Sequence, residues 1–372
     1  MSKLEQFINE LCPNGVEYRR LENCCEILDN KRKPVTKSAR EAGKYPYYGA
    51  NGIQDYVSNY IFDGTFILVG EDGSVVTEMG TPIVTWATGK IWVNNHAHII
   101  SEINGVLLRY LFHYLQTVPV KHLIHGNIPK LTGGDFRALK IAVPPLPVQE
   151  EIVRILDKFM ELTAELTAEL TARKQQYEYY RDRLFANYKS APKKKLIEVA
   201  DISRGIRVVK KQLISNGNYP VYQNSLAPMG YYDKYNCNGN TTYVISAGAA
   251  GEIGYCETNF WAADDCLFFS NLREVNNKYI YYFLLTKQDF IYSNVRKASI
   301  PRLSRTVIEN LQIPIISIDE QEQVVNLLNR FDKLCTDISE GLPAEIEARQ
   351  KQYEYYRDNL LTFKKKEAAE NE

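Results

Sequence analysis

The 372-residue chain lacks cysteine pairs, long apolar runs and a net charge. Its seven cysteines include no C-x-x-C pair, which argues against a zinc finger or a disulfide framework and favours buried thiols. No apolar run reaches the roughly 18–20 residues that span a bilayer. The first residues lack the apolar core of a signal peptide, so we expect a cytoplasmic protein with no membrane partner.

The formal charge of zero is a caution against nucleic-acid binding, because a free-standing binder is usually basic. The charge is unevenly distributed, however. Two helical stretches, residues 149–185 and 316–362, carry net charges of −2 and −5, which leaves +7 for the rest of the chain. The pattern fits basic globular parts that contact phosphate and acidic helices that lie elsewhere.

Catalytic motifs are also missing. The chain has neither the N-P-P-[YF] or D-P-P-[YF] tetrapeptide of amino-methyltransferases nor a complete phosphate-binding loop, since residues 86–91 (WATGKI) lack its first glycine and its Ser/Thr. Residues 70–74 (GEDGS) are interpreted as a hairpin loop rather than a phosphate cradle. Glu71 and Asp72 have no third metal ligand at usable spacing. We therefore predict no catalytic residue, no bound metal and no cofactor on this chain.

What the chain does contain is a repeat. Residues 173–184 read RKQQYEYYRDRL and residues 349–360 read RQKQYEYYRDNL, each closing a long helical pattern that follows a strand-rich block. The first pattern has an apolar stripe typical of a coiled-coil seam, at Ile152, Leu156, Phe159, Leu166, Leu170, Tyr177, Tyr180 and Leu184. The steps are three or four residues once Thr163 and Arg173 are counted in the two heptad gaps. The second copy is four residues longer and is interrupted at Gly341-Leu342-Pro343.

The two strand-rich blocks share anchors but little else. Tyr45-Pro-Tyr-Tyr corresponds to Tyr219-Pro-Val-Tyr, and Asn127-Ile-Pro-Lys-Leu corresponds to Ser299-Ile-Pro-Arg-Leu. Short strand patterns and one helical pattern near residues 106–116 predict α+β globules. The fold prediction is thus two α+β globules separated by two long helices that form an antiparallel coiled coil, with a pseudo-two-fold internal repeat.

These features resemble the specificity (S) subunit of a type I restriction–modification system. The resemblance rests on the Y-P-x-Y and I-P-[KR]-L anchors, on the P-x-x-x-Q-E entry into each helix, and on the two Q-Y-E-Y-Y-R-D repeats. The repeats and the segment TAELTAEL at residues 163–170 resemble the type IC group in particular. The resemblance covers essentially the whole chain.

The resemblance implies a DNA-specificity subunit that is not itself an enzyme. Residues 1–146 and 191–316 would be target-recognition domains that each read half of a bipartite site in double-stranded DNA. Residues 147–190 and 317–366 would be helical spacers that dock two methyltransferase (M) subunits, and restriction (R) subunits would join for cleavage. S-adenosylmethionine, and ATP with Mg for cleavage, would be bound by those partners. Residues 367–372 form a charged tail.

Basic and amide side chains on the globules are the candidate DNA contacts, because Arg and Lys bind phosphate or guanine and Asn pairs with adenine. They are Lys31, Arg32, Lys33, Asn51, Lys90, Lys121, Lys130, Arg204, Arg207, Lys210, Lys211, Asn224, Arg296, Lys297, Arg302 and Arg305. A solvated surface charge is the alternative for each. Lys130 and Arg302 are favoured because each is expected to open a helix after I-P. Tyr45 and Tyr219 are interpreted as core aromatics.

Two further sets lie on the helices. Tyr179 and Tyr355 fall off the apolar stripe, so together with Arg181 and Arg357 they are candidate contacts for the M subunits. Thr163, Leu166, Thr167 and Leu170 belong to the four-residue repeat, which makes a spacer of adjustable length. Two alternatives stay open from the residues alone, namely a methyltransferase or nuclease with an unrecognised catalytic centre, and a coiled-coil scaffold that binds only protein.

Overall fold

The computed structural model describes residues 3–73, 75–336 and 341–366. Its internal contacts divide the chain into two units, of which the first is discontinuous in sequence and the second begins inside a helix. Unit 1 contains the residues up to Glu165 together with those from Ile346 onward, and unit 2 runs from Leu166 to Glu345. Each unit therefore combines one globule with parts of two long helices. No helix in the described part of the chain has the length and apolar character of a membrane span.

Unit 1 begins with a short amphipathic helix, whose apolar residues recur at helical spacing. Its elements, in chain order, are α1 Lys3–Leu11, β1 Glu17–Arg20, β2 Glu26–Ile27, β3 Ala42–Gly49, β4 Gly52–Val57, β5 Phe62–Gly70, β6 Val84–Val93, β7 Ala97–Ser101, α2 Leu108–Leu115, α3 Gly133–Ala138, β8 Lys140–Val143 and the start of α4, Leu146–Asn187. Six strands form one sheet in the order β2-β7-β5-β6-β3-β4, and β1 pairs with β8.

Unit 2 repeats this order with shorter strands. After the end of α4 its elements are β9 Lys193–Lys195, α5 Leu196–Val199, β10 Asp201–Arg204, β11 Tyr219–Tyr222, β12 Gly230–Tyr232, β13 Thr241–Ile245, β14 Ile253–Cys256, β15 Trp261–Ala262, β16 Cys266–Ser270, α6 Asn277–Leu285, α7 Gln288–Ser293, α8 Arg305–Glu309, β17 Gln312–Pro314 and α9 Ile318–Thr336. The final helix, α10 Leu342–Leu360, lies almost entirely in unit 1.

The long strand β6 explains the main difference between the two sheets. In unit 1 its ten residues pair with β5 on one side and with β3 on the other, which joins all six strands. In unit 2 the corresponding stretch is divided into β14 and β15, so the strands form two sheets, β10-β16-β13-β14 and β12-β11-β15. The two units therefore share the same order of strands, but a single long strand in unit 1 corresponds to two short strands in unit 2.

A buried glutamine at the entry of each long helix accounts for the P-x-x-x-Q-E motif. Gln149 accepts from Leu107 N at 2.9 Å and donates to Pro144 O at 2.7 Å and Gly105 O at 3.1 Å. Gln321 makes the equivalent three bonds in unit 2, at 2.8–2.9 Å. The side-chain amide therefore satisfies backbone groups of the loop before α2 or α6 and ties the start of each long helix to that loop.

Each unit has two hydrophobic layers. In unit 1 the larger core joins α1, α2 and α3 to both long helices, and includes Leu156 and Tyr353, which are distant in sequence. A second cluster, built on β3, β5, β6 and β7, contains no residue of a long helix. Unit 2 has the same division between a helical core and smaller sheet clusters. The helix ends thus pack on the inner layer of each globule.

Candidate nucleic-acid interface

A tryptophan in each globule fixes the basic loop beside the Y-P-x-Y strand. Trp92 Nε1 donates to Lys33 O at 2.7 Å, and Trp261 Nε1 donates to Ile206 O at 2.8 Å. The strands that carry the tryptophans run parallel to the Y-P-x-Y strands, β6 to β3 and β15 to β11. The loops that contain residues 31–33 and 204–211 are therefore attached to the globules in the same way.

The first tyrosines of the Y-P-x-Y strands are half-buried in pairs of rings. Tyr45 packs on Tyr60 with 5.1 Å between centroids, and Tyr219 packs on Tyr235 at 4.9 Å. Lys90 Nζ lies 4.7 Å from the centre of the Tyr60 ring. Since one face of each pair is already covered by a tilted neighbour, these tyrosines act as part of the fold rather than as free stacking platforms.

An ion-pair cluster lies where β2 and β5 of unit 1 end and β7 begins. His98 Nδ1 is 2.7 Å from Asp29 Oδ2, Arg32 Nη1 donates to Glu71 Oε2 at 2.6 Å, and Lys130 Nζ lies 3.1 Å from Glu71 Oε1. Burial raises the pKa of Asp29 and of Glu71, but these hydrogen bonds and positive neighbours outweigh it and hold both pKa values below their ordinary range. Both carboxylates are therefore charged and neutralised inside the protein.

The cluster places Asp29 and His98 beside Glu71, a grouping that does not include Asp72 and that the sequence spacing did not suggest. Ligand atoms of Asp29, Glu71 and His98 lie within 4.8 Å of one another, as in a metal site. Arg32 and Lys130 nevertheless place their nitrogens on both Glu71 oxygens. Since these two cations already supply the positive charge, the geometry is that of an internal ion-pair cluster.

The structure corrects the expectation that Lys130 and Arg302 each open a helix. Helix α3 begins at Gly133 with Thr132 as its N-cap, and α8 begins at Arg305. Lys130 and Arg302 instead lie in short antiparallel bridges. The proline of I-P-[KR]-L keeps this segment extended, and the helix starts only after the Thr or Ser that follows the leucine. A helix N-terminus is therefore not the reason for a phosphate contact at either residue.

Other candidates in unit 2 line an open cleft. Arg204, at the end of β10, and Arg305 line it together with Ser246 and Ser304. Arg305 forms a salt bridge with Glu309 at 2.8 Å. The remaining candidates are exposed, with Lys90 on strand β6 and the others between the named helices and strands, at Lys31, Lys33, Asn51, Lys121, Arg207, Lys210, Lys211, Asn224, Arg296, Lys297 and Arg302.

The two QYEYYRD repeats make matching contacts in different units. Tyr356 stacks on Phe159 in unit 1 with 5.1 Å between centroids, and Tyr180 stacks on Phe331 in unit 2 at 6.1 Å. The tyrosines three residues earlier, Tyr353 and Tyr177, are buried. Tyr353 Oη also lies 3.0 Å from His113 Nδ1, whose Nε2 is 2.9 Å from Asp157 Oδ1. Each repeat therefore fastens the end of one long helix beside the start of the other.

The predicted partner contacts divide into exposed and buried residues. Tyr179 and Tyr355 are 58% and 66% exposed. Arg357 is only 6% exposed and lies over the Tyr353 ring, and the Arg181 side chain is 12% exposed over Tyr177. The two arginines are thus structural, contrary to the expectation that they flank the exposed tyrosines. The neighbour of Tyr179 is Arg183, which donates to its hydroxyl at 3.2 Å.

The four-residue repeat lies within one unbroken helix. Helix α4 has 42 residues, and Thr163, Leu166, Thr167 and Leu170 fall near its centre. The boundary between the units lies between Glu165 and Leu166. Leu166 and Leu170 are half-buried, whereas the two ends of the apolar stripe, such as Leu156 and Tyr177, are buried. The repeat therefore lies in a stretch of the helix that is packed less than its two ends.

Comparison with known proteins gives a consistent family. The family described as "Type I restriction modification DNA specificity domain" matches residues 13–173 and 189–348. A putative type I restriction enzyme specificity subunit of Haemophilus influenzae is 36% identical over 98% of this chain and 100% of its own length. A type I restriction enzyme specificity subunit of Escherichia coli is 32% identical over 72% of this chain and 74% of its own length.

Solved structures agree on the fold. The crystal structure of the S subunit of a type I restriction–modification system from M. genitalium has a TM-score of 0.61 at 16% identity, covering 93% of this chain and 96% of that one. A chain from a structure described as showing complex assembly and conformational transition of the type I system has a TM-score of 0.54 at 13% identity, covering 94% and 98%. The predicted pair of α+β globules with long helices and an internal repeat is confirmed at this level.

Proposed function

Because the chain belongs to the type I restriction–modification DNA-specificity family, we propose that each of its globules reads one half of a bipartite DNA site. The observation that carries this proposal is the contrast between the frame and the surface of the globules. Both use the same tryptophan bond, glutamine clamp and helix-end contacts. The side chains beside these anchors differ in charge and shape. Two copies of one scaffold with different surfaces suit two different half-sites.

The exposed basic and amide residues are the proposed DNA contacts. In unit 1 they follow the tryptophan-fixed loop (Lys31 and Lys33), the β3–β4 turn (Asn51) and the β5–β6 ladder (Lys90), with Lys121 nearby in sequence to the I-P-K-L segment. In unit 2 they are Arg207, Lys210, Lys211, Asn224 and Lys297 in the corresponding loops, together with Arg204, Arg296, Arg302 and Arg305. Arg32 has its guanidinium on Glu71 and is proposed to hold the loop in place rather than to touch DNA.

Specificity subunits of this family assemble with M and R subunits, and we propose that this chain docks two M copies, one on each helix end. S-adenosylmethionine, and ATP with Mg for cleavage, would be bound by those partners, and we expect the complex to lie in the cytoplasm. The chain itself recognises DNA and performs no catalytic step, as befits its family. The QYEYYRD and TAEL repeats support assignment to the type IC group.

Tyr179 and Tyr355 are proposed to occupy equivalent places in the two M contacts. Both are exposed at the same position of the repeat, and tyrosine is enriched in protein interfaces. We expect Tyr179→Ala/Tyr355→Ala to weaken assembly with M, measured by native mass spectrometry of the co-expressed complex. Tyr56→Ala, at a tyrosine that is 52% exposed on β4, is the matched control and should leave assembly intact. Full assembly of the double variant would refute the assignment.

Methylome sequencing of cells that carry this chain with its M subunit tests the function as a whole. We expect one methylated motif with two specified parts and an unread gap. Exchange of residues 21–141 for those of a relative should change one part only. A motif without a gap, or a change in both parts, would overturn the assignment of one half-site to each globule.

A further inference from the structure

The same backbone position carries opposite electrostatic surroundings in the two units. In unit 1, Leu131 N donates to Glu71 O at 2.8 Å, which fixes the segment around Lys130. In unit 2, Leu303 N donates to Ser246 O at 2.8 Å, which fixes the segment around Arg302. Lys130 therefore corresponds to Arg302, and the acid Glu71 corresponds to a serine.

The first strand of each sheet shows the same reversal. Ile27 of β2 pairs with Ile100 of β7, and Ile202 of β10 pairs with Phe269 of β16. Two residues after each isoleucine the chain has Asp29 in unit 1 and Arg204 in unit 2. Both carboxylates that neutralise the cations of unit 1 are thus absent at the corresponding positions of unit 2, and one is replaced by a further cation.

A second observation is the pairing of two arginines. Arg296 N donates to Arg302 O at 2.8 Å, and Arg302 N donates to Arg296 O at 3.2 Å. Residues that exchange both hydrogen bonds in this way are directly opposite, with side chains on one face about 5 Å apart at Cβ. Like charges in this arrangement repel. Within residues 3–73, 75–336 and 341–366, neither guanidinium takes part in a salt bridge.

An anion would relieve this repulsion, and its source is set by the proposed function on which the inference rests. We propose that Arg296 and Arg302, beside the cleft that Arg204 lines, bind a backbone phosphate of DNA, and that unit 1 makes no such contact at Lys130. Guanidinium groups match phosphate oxygens in geometry and charge. Lys130 is not free to bind phosphate in this way, because its Nζ already pairs with Glu71 Oε1 at 3.1 Å. The globules would then grip DNA asymmetrically, with this backbone contact on the second half-site only.

The test measures DNA binding by the complete complex with its M subunits as a function of salt concentration, on the methylated motif found for the wild type. Each phosphate contact contributes about 0.9 to the slope of log affinity against log salt. We expect Arg296→Gln/Arg302→Gln, which removes the contact, to lower the slope by about 0.9 and to weaken binding roughly fivefold at 0.15 M salt. Arg302→Gln alone should lower the slope by part of this amount, because Arg296 still faces the phosphate, and Arg302→Lys should retain most of the wild-type slope.

Lys130→Gln is the matched control, since it removes the corresponding cation of unit 1, and its slope should equal that of the wild type. An unchanged slope for Arg302→Gln, or an equal loss for Lys130→Gln, would overturn the inference. A changed base preference would show base reading instead of phosphate binding, and failure to co-purify with M would show a protein contact. A wild-type complex that binds no DNA would instead refute the proposed function.

Discussion

The four-residue repeat in α4 offers a quantitative test of spacing. Insertion of one Thr-Ala-Glu-Leu unit after Leu170 lengthens an unbroken helix by about 6 Å and rotates its far end by about 40°, since each residue adds about 1.5 Å and 100°. Duplex DNA rises about 3.4 Å per base pair and turns about 34°. The added length corresponds to about 1.8 base pairs by rise and about 1.2 by twist.

We therefore expect the unread gap of the methylated motif to grow by one or two base pairs, while both specified parts stay the same. Two inserted units separate rise from twist, because they add about 12 Å and 80°, or roughly 3.5 base pairs by rise and 2.3 by twist. The assay is methylome sequencing, and Thr167→Ala, which keeps the helix length, is the control. An unchanged gap in a variant that still methylates DNA would refute the idea that α4 sets the spacing.

Two further predictions concern the ion-pair cluster and the buried histidine of unit 1. Glu71→Gln breaks a buried pair, which costs about 3–5 kcal/mol when nothing replaces it. Arg32 keeps its contacts with Ala97 O at 2.6 Å and Asp29 at 3.7 Å, so we expect the free energy of unfolding to fall by about 2 kcal/mol only. The calorimetric Tm should then be about 4–8 °C lower. Lys130→Gln is the control and should change the Tm little, because that lysine is half exposed. Burial lowers the pKa of His113 from its ordinary 6.5 despite the nearby Asp157 carboxylate, so folding stability that is present above pH 6.5 is lost as the pH falls below 6.5. The pKa values of Asp29 and Glu71 are also lowered, so a further loss of folding stability follows below pH 4.5. Burial raises the pKa of Asp332 in unit 2, which has the opposite sign, so between pH 7 and pH 5 the protection factors of amide hydrogen exchange, corrected for the pH dependence of the intrinsic rate, should fall in α2 and not in α6; an equal fall in both helices would contradict this reasoning.

Local patterns predicted the elements that depend on local physics. The helix at Lys3–Leu11 follows from its apolar spacing. The bend at Gly341, directly before α10 begins at Leu342, agrees with the predicted interruption at Gly341-Leu342-Pro343. The predicted charged tail, residues 367–372, lies outside the described residues. The internal repeat and the coarse fold were also evident from the sequence.

Side-chain availability could not be predicted in the same way. Arg32 is 39 positions from Glu71 and Lys130 is 59 positions from it, so no local pattern shows that both cations are held. Arg357 reads as a helix-surface charge, yet it covers a buried tyrosine ring. The sequence held one weak sign that the cations of the first block are paired, namely a difference between the two strand-rich blocks. The first block has the acids Glu71 and Asp29 where the second has Ser246 and Arg204. Alignment of the two blocks on their anchors, residue by residue, would have exposed it.

The division of the chain into units gives a reason why two dissimilar globules can share one pair of helices. In sequence each globule is followed by its own helix, but the end of that helix packs in the other unit. Tyr353, in the last helix, contacts His113 across 240 positions. The contacts of both helix ends are made with the inner core, whereas the Y-P-x-Y strands and β5 to β7 pack mainly in separate clusters. Substitutions confined to the sheet residues of the separate cluster therefore do not touch the contacts of the helix ends, so we expect that one half-site can be changed while the spacing and partner docking are kept.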